Sequence, residues 1–156
     1  MKNAKSLLVL STALALTPLA LQAGEPEKGL MLTPEQLVWE PNPRVEGLGQ
    51  ASIINDGTKP GPYVYRVKFP KGRVVQAHSH PDDRTYTVMA GTWYIGWGEK
   101  FDESKLTALP AGSFYTEPAG VPHFISTPDG EAIVQITGTG PTTATFVDPA
   151  HAPKKK

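Results

Sequence analysis

The chain has 156 residues, with 15 basic and 15 acidic side chains and no cysteine. This length fits one domain with a sizeable core, the balanced charge disfavours a general nucleic-acid binder, and a fold without cysteine cannot depend on disulfides. With 16 prolines, 15 glycines and 19% charged residues, the composition is rich in turns. It favours a mostly β protein over a helical bundle or a charge-driven disordered chain.

The first 23 residues have the pattern of a signal peptide. Lys2 and Lys5 precede an apolar run, which ends in the small residue Ala23. The run is shorter than the roughly 20 residues that a membrane-spanning helix needs, and Pro18 interrupts it. We therefore predict a periplasmic or secreted protein, cleaved close to Ala23. A chain without cysteine offers no lipid attachment at the cut, so no membrane anchor is expected.

Three further segments follow the predicted signal peptide. Residues 24–60 are rich in Glu and Pro and contain one short apolar patch, Leu37–Trp39, so they are expected to form an N-terminal arm with short strands. A stretch of this length cannot bury its own core. Residues 61–148 are expected to form the β domain, and residues 149–156 a basic tail.

Strand signals fill the β domain. Apolar residues alternate with polar ones from Tyr63 to Phe69, which is the period of a half-buried strand. The runs 85–89 and 92–97 meet at Ala90–Gly91, which predicts a tight hairpin, and 102–105 could form one helical turn. Further strands are expected at 74–80, 114–117, 123–127, 132–137 and 143–147. Short strands at close intervals favour a sandwich or a barrel.

Three of the four histidines lie where they could bind a metal. His78 and His80 are two residues apart on a predicted strand, so their side chains point to one face. Two such imidazoles can bind one divalent cation at roughly 2.0–2.1 Å each. His123 begins a later strand and could complete the set, whereas His151 receives no role. The alternative is that His78-Ser-His80 is a solvated polar stretch and His123 an unrelated core residue.

The spacing of these histidines among glycines and prolines resembles the two signatures of the cupin superfamily. The matching patterns are Gly72-x5-His78-x-His80-x3-Arg84-x6-Gly91 and Gly112-x5-Pro118-x-Gly120-x2-His123-x3-Thr127. The resemblance covers about residues 62–148 and implies an all-β fold, a small double-stranded β-helix or jelly-roll barrel. It also implies that the three matching histidines hold a divalent transition metal, Fe, Mn, Ni or Zn, inside the barrel.

The sequence departs from the family pattern at one expected ligand. Arg84 stands where the family usually has a glutamate ligand, and a guanidinium cannot coordinate a cation. Asp82 or Asp83 could supply the carboxylate, three imidazoles could hold the metal alone, or the metal could be absent. We prefer the three-imidazole site, because it leaves positions open for water or substrate. Thr127 in place of the usual asparagine is a milder departure.

Arg84 is a candidate substrate-binding residue. A bare cation beside an arginine is repulsive, so this arrangement favours an anion that bridges them, and Arg84 could hold a substrate carboxylate by two parallel hydrogen bonds. The alternative is that Arg84 pairs with Asp82 or Asp83 at the barrel rim.

Strand alternation adds further candidates. It places Val74 and Gln76 on the face of the histidine pair, and Tyr86 and Val88 on the face of the arginine. Gln76 could orient a ligand by a hydrogen bond or simply bind water, and Tyr86 could contact substrate or pack in the core. Glu117 could hold the third histidine, although glutamates at strand ends are usually solvated.

These features support two classes of function. The first is a metal-dependent enzyme that acts on a small oxygenated or carboxylate-bearing molecule, either as a dioxygenase or as a Lewis-acid lyase or isomerase. The second is a non-catalytic module that binds a small molecule or a metal. The fold alone does not separate them. Because many cupins pair through sheet edges or exchange an N-terminal strand, Leu37–Trp39 could mediate a homodimer.

Overall fold

A computed structural model describes residues 29–42 and 45–153. The predicted signal peptide and residues 154–156 of the predicted tail lie outside the described residues. The chain divides into two units, Met1–Met31 and Leu32–Lys156. Of the first unit only the exposed residues 29–31 are described, so the fold reported below is that of the second unit.

The described part of the second unit contains eleven strands and three short 3-10 helices. The helices span Pro34–Gln36, Glu103–Lys105 and Pro149–His151, and the second of them is the predicted helical turn. The strands are β1 (Glu40–Pro41), β2 (Gly49–Ile54), β3 (Gly61–Phe69), β4 (Val74–Ser79), β5 (Arg84–Ala90), β6 (Thr92–Trp97), β7 (Thr107–Pro110), β8 (Phe114–Glu117), β9 (His123–Ser126), β10 (Ala132–Gly140) and β11 (Thr145–Phe146).

The strands form two antiparallel sheets. The six-stranded sheet has the order β1-β2-β3-β10-β5-β8, and the five-stranded sheet has the order β11-β4-β9-β6-β7. Apolar side chains from both sheets meet in one core, with Tyr65 and Val134 from the first sheet and Trp93 and Ile125 from the second. The predicted all-β jelly roll is confirmed.

The two sheets are not joined into a closed barrel. Among the described residues, each strand pairs only with strands of its own sheet. The expected barrel is therefore corrected to a jelly roll of two facing sheets. The reason is that the chain crosses from one sheet to the other at its corners, so the hydrogen bonds of each strand stay within one layer.

The strand β3 shows how the sequence specifies this core. Its alternating residues Tyr63, Tyr65, Val67 and Phe69 are all buried, as the period of two predicts. β3 pairs over nine residues with β10, and this long ladder places the apolar face of both strands against the opposite sheet.

The predicted hairpin between β5 and β6 is wrong. β5 pairs with β10 and β8, whereas β6 pairs with β9 and β7 in the other sheet. Gly91 is the corner between the sheets, with a φ of +72°. A Cβ there would lie 2.1 Å from the Glu131 carbonyl oxygen, so the close approach of two chain segments requires glycine at this position.

The N-terminal arm contributes strands to the larger sheet. β1 pairs with β2, and β2 extends the sheet beside β3. Trp39, from the patch predicted to mediate a dimer, lies under Lys68 of the same chain, with the ammonium 4.6 Å from the ring centroid. The homodimer remains a prediction. Within the described residues we find no helix long and apolar enough to cross a membrane.

Candidate metal centre

Two neighbouring strands bring the three histidines together. β4 and β9 are antiparallel neighbours, and His78 lies directly opposite His123 in their register. His80 follows the end of β4, and its ring centroid is 4.9 Å from that of His78 and 5.2 Å from that of His123. One potential ligand nitrogen from each of the three rings lies within 4.8 Å of the other two.

The backbone fixes the orientation of each imidazole. Nδ1 of His78 lies 2.8 Å from the carbonyl oxygen of Gln76. Nδ1 of His80 lies 2.7 Å from that of Thr143, and Nδ1 of His123 lies 3.1 Å from that of Val121. Since a carbonyl only accepts, Nδ1 carries the proton in each ring and Nε2 keeps its lone pair. This is the orientation in which proteins present histidine to a metal.

Burial keeps the three rings neutral. All three are less than a tenth exposed. Burial lowers the pKa of His78 to about 4, with a further contribution from His123, and burial likewise lowers the pKa of His123 to about 4. The pKa of His80 is also lowered, by burial and by the nearby Arg84 charge. Neutral imidazoles are the form that coordinates a cation.

The three side chains fit a divalent transition metal. The Nε2 atoms of His80 and His123 are buried and make no hydrogen bond. Buried polar atoms without a partner destabilise a fold, and a cation between the rings would satisfy both of them. With metal–nitrogen distances of about 2.0–2.1 Å, the nitrogens that bind one metal are separated by roughly 3–4 Å. Only small shifts of the rings are therefore needed to bring the three nitrogens to these separations. Imidazole nitrogen suits Zn, Fe, Ni and Cu.

A bulge in β4 changes which residues share the histidine face. Between Val75 and His78, β4 has one residue more than the facing segment of β9. As a result Val75 lines the cavity beside His78, whereas Val74 is 42% exposed. The predicted alternation is therefore wrong for Val74 and Gln76. The partly exposed Gln76 side chain is not part of the lining, and Gln76 contributes its backbone carbonyl, which orients His78.

Arg84 forms a buried ion pair with Glu117 beside the histidines. The two residues are directly opposite each other on β5 and β8, and Arg84 Nη2 donates to Glu117 Oε2 at 2.9 Å. Their exposures are 5% and 1%. Arg84 also donates to the hydroxyl of Tyr86, the next inward residue of β5. Burial raises the pKa of Tyr86 well above its usual value, so its hydroxyl remains protonated.

The two loop aspartates have other partners. Asp82 accepts hydrogen bonds from the hydroxyls of Tyr63 and Thr142, and Asp83 accepts one from the backbone N–H of Ala119. Neither belongs to the group of converging metal-ligand atoms. Because both aspartates are held by these partners, the structure gives no support to a carboxylate ligand from the loop. Arg84 does not pair with either aspartate at a rim, because it is buried against Glu117.

His78, His80 and Arg84 line a cavity of about 90 Å³ inside the jelly roll. Most of its wall is apolar, formed by side chains such as Trp93 and Ile125. Tyr86 also lines it, and Arg84 Nε is buried there without a hydrogen-bond partner. The space is large enough for several atoms of a small ligand, since a single water molecule needs only about 10–15 Å³ of such a cavity.

Two segments outside the sequence motifs complete the cavity. Asn42 and Leu48 line it from the N-terminal arm, and Thr143 and Phe146 line it from the segment around β11. The Phe146 ring also stacks on His78, with centroids 5.3 Å apart. The sequence analysis did not identify these residues, because no local pattern shows that these two distant segments line the same cavity.

Buried histidines converging inside an antiparallel jelly roll define a cupin with a candidate metal centre. The sequence profile of the ChrR cupin-like domain matches residues 27–143, and the chain belongs to this family of cupins. No curated protein sequence matches the chain significantly.

Solved structures show the same fold at low sequence identity. A structure of an RmlC-like cupin from Shewanella frigidimarina has a TM-score of 0.55 and 19% identity, covering 72% of this chain and 91% of the other. KdgF from Halomonas sp. has a TM-score of 0.55 and 18% identity, covering 72% and 94%. The DMSP lyase DddQ from Ruegeria pomeroyi has a TM-score of 0.55 and 20% identity, but this chain spans only 60% of its length.

Proposed function

We propose that this protein is a periplasmic or secreted metal-dependent enzyme that acts on a small oxygenated or carboxylate-bearing molecule. The observation that carries the proposal is the set of three buried imidazoles, oriented by backbone carbonyls, whose potential ligand nitrogens lie within 4.8 Å of one another beside an apolar cavity. Such a set holds a divalent transition metal and leaves positions open for a ligand.

The charges around the site favour an anionic ligand. The imidazoles are neutral, and the charges of Arg84 and Glu117 cancel each other. A divalent metal therefore brings two uncompensated positive charges into a site less than a tenth exposed. Buried charges need partners, and a carboxylate or another oxyanion would supply one.

The residues of this chain would position such a ligand. Arg84 Nε is a buried donor without a partner and is available to a ligand oxygen. The apolar walls exclude water, which strengthens polar interactions inside the cavity. A bound metal would supply Lewis-acid polarisation of a ligand oxygen or, for iron, manganese or nickel, redox chemistry with dioxygen.

Both reaction classes, dioxygenase and Lewis-acid lyase or isomerase, are compatible with this site. The fold-level likeness to a DMSP lyase shows that a related architecture is found in a lyase, which supports the second class by analogy alone. The test is elemental analysis of the untagged protein, followed by turnover assays on small carboxylic acids with and without dioxygen. Turnover that requires dioxygen assigns a dioxygenase.

The metal site has its own prediction. The purified protein is expected to hold about one transition metal per chain. His123→Gln removes one imidazole and should abolish stoichiometric binding, whereas the matched change His151→Gln affects an exposed histidine outside the site and should preserve it. A wild-type protein that takes up no transition metal would refute the proposal.

A binding module without catalysis is the second candidate. One observation favours it: the ionisable groups in the cavity lining are imidazoles, Arg84 and the phenol groups of tyrosines such as Tyr86, and none of these is a free carboxylate base. Tight binding of a small acid to the metal-loaded protein, without conversion of any acid tested, would favour this function.

A further inference from the structure

Glu117 lies beside the candidate metal centre. Its Oε1 is 3.3 Å from His123 Nε2, and its Oε2 is 3.9 Å from His80 Nε2. Two ligands of one metal, bound at about 2.0–2.2 Å in tetrahedral geometry, are separated by roughly 3.3–3.5 Å. The separation between Oε1 and His123 Nε2 is the one expected between ligands of one metal ion, whereas Oε2 is farther from His80 Nε2 and Glu117 lies outside the group of three converging histidine nitrogens.

The atoms that face each other here are all acceptors. The protons of His80 and His123 are on Nδ1, where they are donated to backbone carbonyls, so Nε2 offers only a lone pair. An ionised carboxylate also only accepts. This explains why His123 Nε2 makes no hydrogen bond although it lies 3.3 Å from Glu117 Oε1. Lone pairs that converge in a buried site repel each other unless a cation lies between them.

A buried network holds the carboxylate in this position. Oε2 accepts from Arg84, and Oε1 accepts at 3.0 Å from the hydroxyl of Tyr115. That hydroxyl accepts in turn from Trp93 Nε1 at 2.9 Å. Each oxygen thus has one protein donor and keeps a further lone pair free, since a carboxylate offers about four acceptor sites. Glu117 itself is 1% exposed, so solvent does not satisfy these sites.

We propose that Glu117 is a carboxylate ligand of the metal centre, beside the three histidines, and that Arg84 positions it. The inference rests on the proposed metal site and adds an oxygen donor to it. The register places Glu117 on β8 directly opposite Arg84 on β5, so the arginine that cannot bind a metal holds the group that does.

The test measures binding of Co²⁺ to the full-length protein. Competition with a chelator gives the affinity, and the visible absorption of bound Co²⁺ reports the donor atoms. Glu117→Gln should weaken Co²⁺ binding by more than about 100-fold, beyond the 10–100-fold typical of residues that only orient a ligand, and should shift the absorption. The matched control is Glu131→Gln, which removes the same charge at an exposed position and should leave both readouts unchanged.

A second variant separates coordination from folding. Glu117→Gln alone leaves the buried Arg84 unpaired, which destabilises the fold. The double variant Glu117→Gln/Arg84→Gln removes both charges, and the same loss of affinity and the same spectral shift are expected. An unchanged spectrum, with affinity within 100-fold of wild type, would overturn the proposal and leave the three-histidine site standing. Failure of the wild-type protein to bind Co²⁺ would overturn both.

Discussion

Arg84 and Glu117 place two full charges inside a small protein. They stabilise each other only as a pair, because each would be buried at 5% or less exposure without a counter-charge. At the sequence level the arginine was expected to bind substrate or to pair with an aspartate of the preceding loop. Its position opposite Glu117 arises from the pairing of β5 with β8. Its substrate-binding role remains a prediction, now assigned to the unpaired Nε.

Removing one partner of this pair should destabilise the fold. Arg84→Met leaves the Glu117 charge buried and unpaired, and we expect a loss of about 3–5 kcal/mol in the free energy of unfolding, measured in urea. The control is Lys105→Met, which breaks the exposed pair between Lys105 and Asp102. Exposed pairs contribute about 1 kcal/mol or less, so a similar loss in both variants would contradict the buried-pair interpretation.

The histidines should make the metal-free protein sensitive to acid. The pKa of His78 and that of His123 are lowered to about 4 from 6.5. Between pH 6.5 and 4 the unfolded chain therefore binds more protons than the folded one, so stability falls as the pH falls through this window. Thermal unfolding of the metal-free protein at several pH values measures this. In His78→Gln/His123→Gln the slope should be smaller, and an unchanged slope would refute the assignment.

At the level of elements, two strand features decide which residues reach the cavity. The bulge in β4 turns Val75 inward and leaves the Gln76 side chain outside the lining. The corner at Gly91 sends β6 into the second sheet, where Trp93 packs against the core and lines the cavity. Both features interrupt the regular alternation on which the sequence-based assignment of faces depends.

The corner can be tested with a matched pair of glycines. Gly91 and Gly72 have similar backbone conformations, with φ of +72° and +76°, but a Cβ at Gly91 meets backbone atoms whereas one at Gly72 meets nothing within 4 Å. Gly72→Ala should lower the free energy of unfolding by about 1–2 kcal/mol, because alanine is strained in the left-handed conformation. Gly91→Ala should lower the free energy of unfolding by about 1–3 kcal/mol more, because its Cβ would overlap the backbone. Equal losses in urea unfolding would show that the corner is not tightly packed.

For the whole molecule, two distant segments of the second unit line one cavity. The N-terminal arm contributes Leu48 to the wall, and the C-terminal segment contributes Thr143, whose carbonyl orients His80. The site is therefore assembled from segments more than 90 residues apart in sequence. Because these segments carry no motif, their participation depends on the complete fold.

The proposed location is tested by the fate of the N-terminus. When the full chain is expressed in a Gram-negative host, we expect it in the periplasmic fraction. Its intact mass should match that of a chain that begins at Gly24. Leu10→Arg places a charge in the apolar run and should leave an uncleaved chain in the cytoplasm. Wild-type protein that retains Met1 in the cytoplasmic fraction would contradict the export prediction.

The sequence by itself determined the local features of this protein. The alternation in β3 identified a half-buried strand, and the spacing of His78, His80 and His123 among glycines and prolines identified the cupin superfamily. These features could be predicted because strand periodicity and turn chemistry depend on residues close together in the chain.

Only the tertiary structure decided how the site is completed. Arg84 and Glu117 are 33 residues apart and meet because β5 and β8 are neighbours in the six-stranded sheet. The position of Gly91 at a corner, rather than in a hairpin, follows from the packing of two sheets around one core. Such contacts are selected by the burial of distant apolar faces against each other, and no short segment of sequence contains that information.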